Sequence, residues 1–288
     1  YIYPASMHNY MLFFTQKGKC YWLKVYEIPE GSKSSKGRAI QNMLNIDSDD
    51  KVNAFIRVKR LQDPEYNMSH NLLFCTRKGI IKKTKLEAYS RPRQNGVNAI
   101  TIREDDQVIQ VRLTTGDSQI VIANRHGRAI RFHESAVREM GRNATGVKGM
   151  TLDNDDDAVV GMICVNDPEK ETIMVVSEQG YGKRSLIEDY RITNRGGKGV
   201  KTLNITEKTG YLVAIKCVTD ENDLVIINKS GITLRMKVAD VRVMGRATQG
   251  VRLINLEKRN DEIASVCKVL SDSVDENLQD DSVTEVTE

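Results

Sequence analysis

The sequence has few features that suit a membrane protein, a disulfide scaffold or a zinc protein. None of its 288 residues lies in a run approaching the roughly 18 apolar residues of a membrane span, and its first residues lack a secretory signal pattern. Its five cysteines are odd in number and none forms a Cys-x-x-Cys pair, which favours reduced thiols over zinc ligands or disulfides. We therefore expect a cytoplasmic protein. Because it begins at Tyr1 without an initiator methionine, we also expect a fragment.

Residues with a catalytic or metal-binding spacing are also scarce. The four histidines have no Ser, Cys or Asp at a recognised catalytic spacing. Asp153, Asp155 and Asp157 imitate a calcium loop, but Ala158 and Cys164 stand where such a loop needs Gly and Glu. Residues 141–148 resemble a phosphate loop with a displaced lysine, and residues 245–252 repeat that shape. We predict no catalytic residue, metal site or cofactor in this chain.

Positive charge is absent from residues 270–288, which contain seven Asp and Glu. The rest of the chain has 43 Lys and Arg against 32 acids, a net charge of +11, although the whole chain has only +4. An acidic end with few large apolar residues cannot bury enough surface to offset its ordering entropy. We predict a basic domain over residues 1–269 and a disordered acidic tail over 270–288 that competes with a polyanion for the domain.

A fivefold repeat marked by two glycines dominates the domain. The second glycine follows the first by 19 residues in four repeats and by 17 in one. The structural glycines are the pairs Gly18 and Gly37, Gly79 and Gly96, Gly127 and Gly146, Gly180 and Gly199, and Gly231 and Gly250. The repeats cover about residues 10–58, 72–114, 119–165, 171–217 and 222–269, and such a period is typical of stacked or radially arranged modules. We interpret residues 1–9 as the remnant of a preceding module and 59–71 as a surface loop.

The second repeat shows the predicted strand order most clearly. Residues 72–76 and 80–86 form a hairpin about Gly79, residues 97–102 form a third strand, and residues 108–114 form a fourth. Helical periodicity is scarce. We therefore predict an all-β, propeller-like array of about five four-stranded blades, each built from one repeat.

Cations recur at equivalent positions of the repeats, on the second strand, in the loop before the second glycine and just after it. Acidic turns fall elsewhere, at residues 47–51, 104–106, 153–157 and 260–262. A basic belt around a disc suits wrapped duplex DNA, because phosphate contacts need no base readout. The residues predicted to contact DNA are Lys24, Lys33, Lys36, Arg38, Lys82, Lys83, Lys85, Arg91, Arg93, Arg128, Arg131, Arg142, Lys148, Lys183, Arg184, Arg195, Lys198, Lys201, Arg235, Lys237, Arg246 and Arg252.

Several segments, taken together, resemble the family of C-terminal domains of bacterial DNA gyrase A, whose propeller variant is called a β-pinwheel. They are residues 12–18, 25–29, 140–147, 180–184 and 245–251, and the resemblance covers about residues 1–269. It implies a non-catalytic domain that wraps DNA within an ATP-dependent type II topoisomerase. The ATP and magnesium sites and the active-site tyrosine of that enzyme would lie outside this chain. Its partners would be duplex DNA, gyrase B and the rest of gyrase A, and the isolated domain is expected to be monomeric and nucleoid-associated.

One departure from the family concerns its signature, Gln-Arg-Arg-Gly-Gly-Lys-Gly, which belongs to the first blade. Residues 195–199 match its last five positions but lie in the fourth repeat, so the resemblance carries over phosphate-loop chemistry and not the signature's role. Two alternatives stay open. One is the equivalent domain of topoisomerase IV, and the other is a protein-binding propeller scaffold, for which an apolar or mixed-charge top face is expected instead of a cationic rim.

Overall fold

The structure is a computed structural model that describes residues 5–32, 34–256 and 261–271. It consists of 19 strands, one short α-helix and six 3₁₀ turns within those residues. The predicted acidic tail lies outside the described residues from 272 onwards, and Lys33 also lies outside them. Among the described residues, no helix is long and apolar enough to cross a membrane.

The strands follow the five repeats. Repeat one supplies β1 (Tyr10–Thr15), β2 (Lys19–Lys24) and β3 (Val52–Val58). Repeat two supplies β4 (Asn71–Thr76), β5 (Ile80–Lys85), β6 (Val97–Asn98) and β7 (Val108–Thr114). Repeat three supplies β8 (Gln119–Asn124), β9 (Arg128–His133), β10 (Val147–Lys148) and β11 (Val159–Val165). Repeat four supplies β12 (Thr172–Ser177), β13 (Tyr181–Leu186), β14 (Val200–Lys201) and β15 (Leu212–Val218). Repeat five supplies β16 (Asn222–Asn228), β17 (Thr233–Lys237), β18 (Val251–Arg252) and β19 (Ile263–Leu270).

These strands form five antiparallel sheets in a propeller-like arrangement, which confirms the predicted all-β fold class. The sheet orders are β3-β1-β2-β6, β10-β5-β4-β7, β11-β8-β9-β14, β15-β12-β13-β18 and β17-β16-β19. The fifth sheet thus has three strands among the described residues. The innermost strands β3, β7, β11, β15 and β19 pack against one another in that order, and the apolar cores lie between successive sheets.

The sheets are not built from single repeats, which corrects the predicted blade composition. In repeats two to five, the third strand is only two residues long and pairs with the second strand of the preceding repeat: β6 pairs with β2, β10 with β5, β14 with β9 and β18 with β13. Each of these repeats therefore contributes the outermost strand of the sheet before it. Sequence periodicity cannot reveal this exchange. A strand that pairs with the preceding repeat and a strand that pairs within its own repeat have the same spacing in the sequence.

The glycine pairs are explained by the close approach that this exchange requires. The turn glycines adopt positive φ, and the second glycine of a repeat packs on the preceding sheet. A Cβ on Gly199, at φ +73°, would lie 2.3 Å from the carbonyl oxygen of Ala129. Gly37 and Gly231 lie at the two ends of the array. A Cβ added to either glycine would have no non-adjacent heavy atom of the described residues within 4 Å.

The segment between the first two repeats differs from the predicted surface loop because it contains a short helix. Helix α1 spans Pro64–Ser69 and begins at Asp63, whose side chain accepts hydrogen bonds from the backbone amides of Glu65 and Tyr66. Proline at the first helical position and an aspartate cap are the ordinary start signal of a helix. The rest of the segment keeps its irregular conformation.

Substitution of the exchange glycine tests the contact directly. Gly199→Ala is expected to lower the free energy of unfolding by roughly 3–5 kcal/mol, because the new Cβ forces the fourth repeat away from the third. Gly231→Ala, which meets no neighbour, is expected to cost roughly 1 kcal/mol from its positive φ alone. Urea unfolding followed by circular dichroism measures both, and equal losses would contradict a role for the close approach.

Candidate nucleic-acid interface

The outer perimeter of the array is formed by the exchanged strands and the loops that precede them. Among the described residues, the outermost strands β10, β14 and β18 each end in an exposed cation, namely Lys148, Lys201 and Arg252. The corresponding residue of β6 is Asn98. Three successive sheets therefore present one cation each at the same position of their outermost strand.

The predicted DNA contacts fall into four groups when their burial is compared. Ten are exposed: Lys36, Arg38, Arg91, Arg93, Lys148, Lys198, Lys201, Arg235, Lys237 and Arg252. Six are half-buried: Lys24, Lys85, Arg128, Arg142, Arg195 and Arg246. Five are buried, at 8% relative exposure or less: Lys82, Lys83, Arg131, Lys183 and Arg184. Lys33 lies outside the described residues. The five buried side chains cannot reach a phosphate, so predicting them as direct DNA contacts was wrong.

Three of the buried cations occupy the fourth position after the turn glycine and bind the main chain of the next repeat. Arg131 Nη1 donates to the carbonyl oxygens of Ile187, at 2.8 Å, and Tyr190, at 2.7 Å. Arg184 Nη1 donates to the equivalent carbonyl oxygens of Val238, at 3.1 Å, and Val241, at 3.4 Å. Lys83 donates to the carbonyl oxygen of Glu134, and these acceptors belong to the 3₁₀ turns Glu134–Ala136, Ile187–Asp189 and Val238–Asp240 or to the residue that ends them. The recurring strand cations thus tie one repeat to the next.

Some of the remaining cations are paired with carboxylates. Lys85 lies 3.1 Å from Glu139, and Arg235 lies 2.8 Å from Asp223. Asp153 lies 3.5 Å from Arg128 and 3.3 Å from Lys198, so the acidic turn at residues 153–157 approaches the basic perimeter instead of lying wholly apart from it. The pairs of Glu139 and Asp153 are partly exposed and worth little energetically, whereas the carboxylate that pairs with Arg235 is buried. All of these pairs reduce the positive potential around the cations that they involve.

A further set of perimeter cations was missed by the sequence reasoning. Arg138, Arg191 and Arg242 are exposed and directly follow the residue that ends each 3₁₀ turn. The next residue of each forms a parallel bridge to the preceding repeat, through Glu139, Ile192 and Val243. The signal was available, because each arginine precedes the second glycine of its repeat by eight residues. We name the perimeter set as Arg138, Lys148, Arg191, Lys201, Arg242 and Arg252.

A group of potential metal ligands lies beside the perimeter. His126, Asp153 and Asp157 offer ligand atoms within 4.8 Å of one another. However, the carboxylate of Asp157 already accepts hydrogen bonds from the Asn124 side chain, at 2.6 Å, and from the backbone of Ala158, at 2.8 Å. Internal hydrogen bonds thus account for the geometry of Asp157, and the expected absence of metal and cofactor from this chain stays a prediction.

A propeller-like array of exchanged sheets with a cationic perimeter is the class of structure that these residues define. The chain matches the family described as "DNA gyrase C-terminal domain, beta-propeller" at residues 9–59, 70–115, 118–166, 171–219 and 222–267. These matched segments cover most of the chain and follow the five repeats. The chain belongs to the DNA gyrase C-terminal domain family.

Similarity to known proteins agrees with that assignment. The chain is 44% identical over 279 residues to the DNA gyrase A protein of Staphylococcus aureus (strain NCTC 8325 / PS 47), an alignment that covers 97% of this chain and 31% of the relative. It therefore spans about a third of that relative's length. Among solved structures, the C-terminal domain of a DNA topoisomerase IV has a TM-score of 0.82 and 26% identity, over 96% of this chain and 85% of that one. A DNA gyrase A C-terminal domain has a TM-score of 0.78 and 25% identity, over 92% and 84%.

The pH dependence of stability tests the burial of two of these lysines. Burial lowers the pKa of Lys82 to about 7 and of Lys183 to about 8, because the ammonium groups lose hydration. Both have a pKa near 10.4 in an unfolded chain. The unfolded chain therefore binds more protons between these values, and stability rises with pH in that window.

Raising the pH from about 7.5 to about 9.5 is expected to stabilise the parent by roughly 3–5 kcal/mol relative to the Lys82→Met, Lys183→Met double variant. The comparison removes the contribution of thiols and tyrosines that titrate in both proteins. Urea unfolding at the two pH values measures it. Parallel pH profiles of parent and variant would show that the two amines keep ordinary pKa values.

Proposed function

We propose that the chain binds duplex DNA along its perimeter without base readout and wraps or bends it as the C-terminal domain of gyrase A. The observation that carries the proposal is the exposed cation at the end of the outermost strand in three successive sheets, at Lys148, Lys201 and Arg252. Regularly placed cations on a convex rim suit a curved phosphate backbone. Their recurrence on a strand that each repeat contributes to its neighbour makes the spacing a property of the fold.

The energetics of such a contact depend on salt and not on sequence. Each neutralised phosphate releases condensed counterions, so the affinity falls steeply as salt rises. Bending 20–30 base pairs by 40–90° costs on the order of 1–6 kcal/mol. The six residues of the perimeter set, together with half-buried Arg142, Arg195 and Arg246, provide enough phosphate contacts to offset a cost of this size.

The proposed setting is a bacterial gyrase that introduces negative supercoils at the expense of ATP. Gyrase B and the remainder of gyrase A would then be the protein partners, and the catalytic tyrosine, ATP and magnesium would lie outside this chain. This role is supported by the 44% identity to a gyrase A protein. On this proposal the chain is a non-catalytic, monomeric domain in the cytoplasm, associated with the nucleoid.

The equivalent domain of topoisomerase IV is the second candidate. The observation in its favour is the TM-score of 0.82 to a topoisomerase IV C-terminal domain. Both candidates require DNA binding at the rim. A protein-binding scaffold would not require it.

Removal of three perimeter charges tests DNA binding at the rim. The triple variant Lys148→Gln, Lys201→Gln, Arg252→Gln is expected to bind linear duplex DNA more weakly, with a plot of log affinity against log salt that is shallower by about 3 units. Fluorescence anisotropy with two duplexes of unrelated sequence measures the effect and its lack of base preference.

The matched control removes the same charge from three exposed lysines at hairpin turns, as Lys17→Gln, Lys78→Gln, Lys229→Gln. Its salt slope is expected to stay close to that of the parent. Equal slopes in the parent, the rim variant and the control would contradict the proposed interface. Absence of binding by the parent at low salt would favour the scaffold.

A further inference from the structure

Two buried lysines interrupt an otherwise apolar position of the repeat. The third residue after the turn glycine is Tyr21, Ile130 and Leu234 in repeats one, three and five, but Lys82 and Lys183 in repeats two and four. Both lysines are 0% exposed. A buried ammonium group is costly unless hydrogen bonds replace its hydration, so the partners of these two groups are informative.

Both ammonium groups donate to the main chain of the following repeat's perimeter loop. Lys82 Nζ lies 2.6 Å from the carbonyl oxygen of Arg142 and 2.6 Å from that of Ala99. Lys183 Nζ lies 2.7 Å from the carbonyl oxygen of Gly245 and also donates to that of Arg246. In both cases the lysine holds the carbonyl group of the loop arginine itself.

The loops held in this way share a sequence that the other loops lack. Residues 140–147 read Met-Gly-Arg-Asn-Ala-Thr-Gly-Val and residues 244–251 read Met-Gly-Arg-Ala-Thr-Gln-Gly-Val. The loops of repeats two and four, at residues 90–97 and 193–200, have no Met-Gly-Arg. The two loops also share a turn, in which the amide of Ala144 or Thr248 donates to the carbonyl of Gly141 or Gly245, at 3.1 and 3.2 Å. A buried lysine and a Met-Gly-Arg loop therefore occur as a pair, twice.

We propose that Lys82 and Lys183 are positioning residues that preset the loops at 141–146 and 245–250 for phosphate contact. This inference rests on the proposed DNA-binding function. It says which of the proposed DNA-contacting loops are ordered before DNA binds. A loop that is ordered before DNA arrives loses less conformational freedom on binding. The guanidinium of Arg246 is held as well, since Nε lies 3.0 Å from the carbonyl oxygen of Asp189 and Nη1 lies 2.8 Å from that of Lys201. Neither bond uses Nη2, which leaves that group for a phosphate oxygen. Arg195 makes the equivalent two bonds, so the lysine distinguishes the loops by its hold on the main chain and not by the guanidinium contacts.

Limited proteolysis tests the loop without DNA. Trypsin cleaves after arginine, and the carbonyl groups that it must attack at Arg142 and Arg246 are the ones that the lysines hold. Lys82→Met is expected to raise the rate of cleavage after Arg142 roughly tenfold, and Lys183→Met the rate after Arg246, because local opening exposes the bond. Cleavage after Arg195, whose loop has no such lysine, is the internal reference. Unchanged rates at Arg142 and Arg246 would overturn the proposal.

A double-mutant cycle tests the link to DNA. Lys82→Met is expected to lower the affinity for linear duplex DNA roughly three- to tenfold, and Arg142→Gln is expected to cost less affinity in that background than in the parent, because the two act together. The matched control is Lys216→Met, which removes another cation whose pKa burial lowers, to about 8, but on inner strand β15 away from the perimeter. The affinity of Lys216→Met for linear duplex DNA is expected to lie within twofold of the parent's, because sites that do not interact change each other's free energies by only a few tenths of a kcal/mol.

The outcomes separate this inference from the function on which it rests. If the parent binds DNA but Lys82→Met and Lys183→Met bind as Lys216→Met does, or if the cycle is additive, the positioning role is overturned while DNA binding stands. If the parent does not bind DNA, both fall. The two pairs lie in different sheets, so a failure of one variant to fold, checked by circular dichroism, leaves the other pair to decide.

Discussion

The arrangement depends on one interaction, the pairing of a two-residue strand from each repeat with the second strand of the repeat before it. Only two residues pair in β6, β10, β14 and β18, but the carbonyl group of each preceding turn glycine accepts two more amides from the next repeat, as Gly127 does from Thr202 and Leu203. The close approach at the glycines, the strand cations that bind the next 3₁₀ turn and the apolar cores between sheets reinforce it. No repeat from the first to the fourth completes its sheet alone, and the spacing of the blades is therefore determined by the chain itself.

This junction also explains why some cations are buried between repeats and others are exposed on the perimeter. Where the following repeat covers the second strand, a Lys or Arg at the fourth position donates to carbonyl groups of the next 3₁₀ turn. The first of these carbonyl groups also accepts the turn's own amide, as Ile187 does from Tyr190. Where the chain emerges again at the outermost strand, Lys148, Lys201 and Arg252 face solvent. The same residue types therefore serve cohesion on one strand and proposed phosphate binding on the next. The number of basic residues in the sequence therefore does not show how many lie at the rim and how many lie at the junction between repeats.

Much of the fold was predictable from the sequence, because the glycine spacing and the alternation of apolar residues directly determine hairpins and their repetition. The short length and partner of the third strand were not predictable, because exchange leaves spacing unchanged. The same limit explains the error at Arg131 and Arg184. Alternation along a strand places a side chain on the face opposite to its apolar neighbours, but it does not show that the next repeat covers that face. Conversely, Arg138, Arg191 and Arg242 could have been found from their constant distance to the second glycine. Lys82 and Lys183 were visible only as exceptions, since their carbonyl partners lie about sixty residues away in the sequence.

The central claim is that a perimeter assembled by strand exchange curves DNA around itself. The most direct measurement incubates relaxed circular plasmid with increasing amounts of the protein, relaxes it again with topoisomerase I at low and at high salt, and reads the linking number on a gel. The account predicts a change in linking number that grows with the amount of protein and disappears at high salt. Binding without any change in linking number at low salt would contradict it, because the perimeter would then hold DNA without wrapping it.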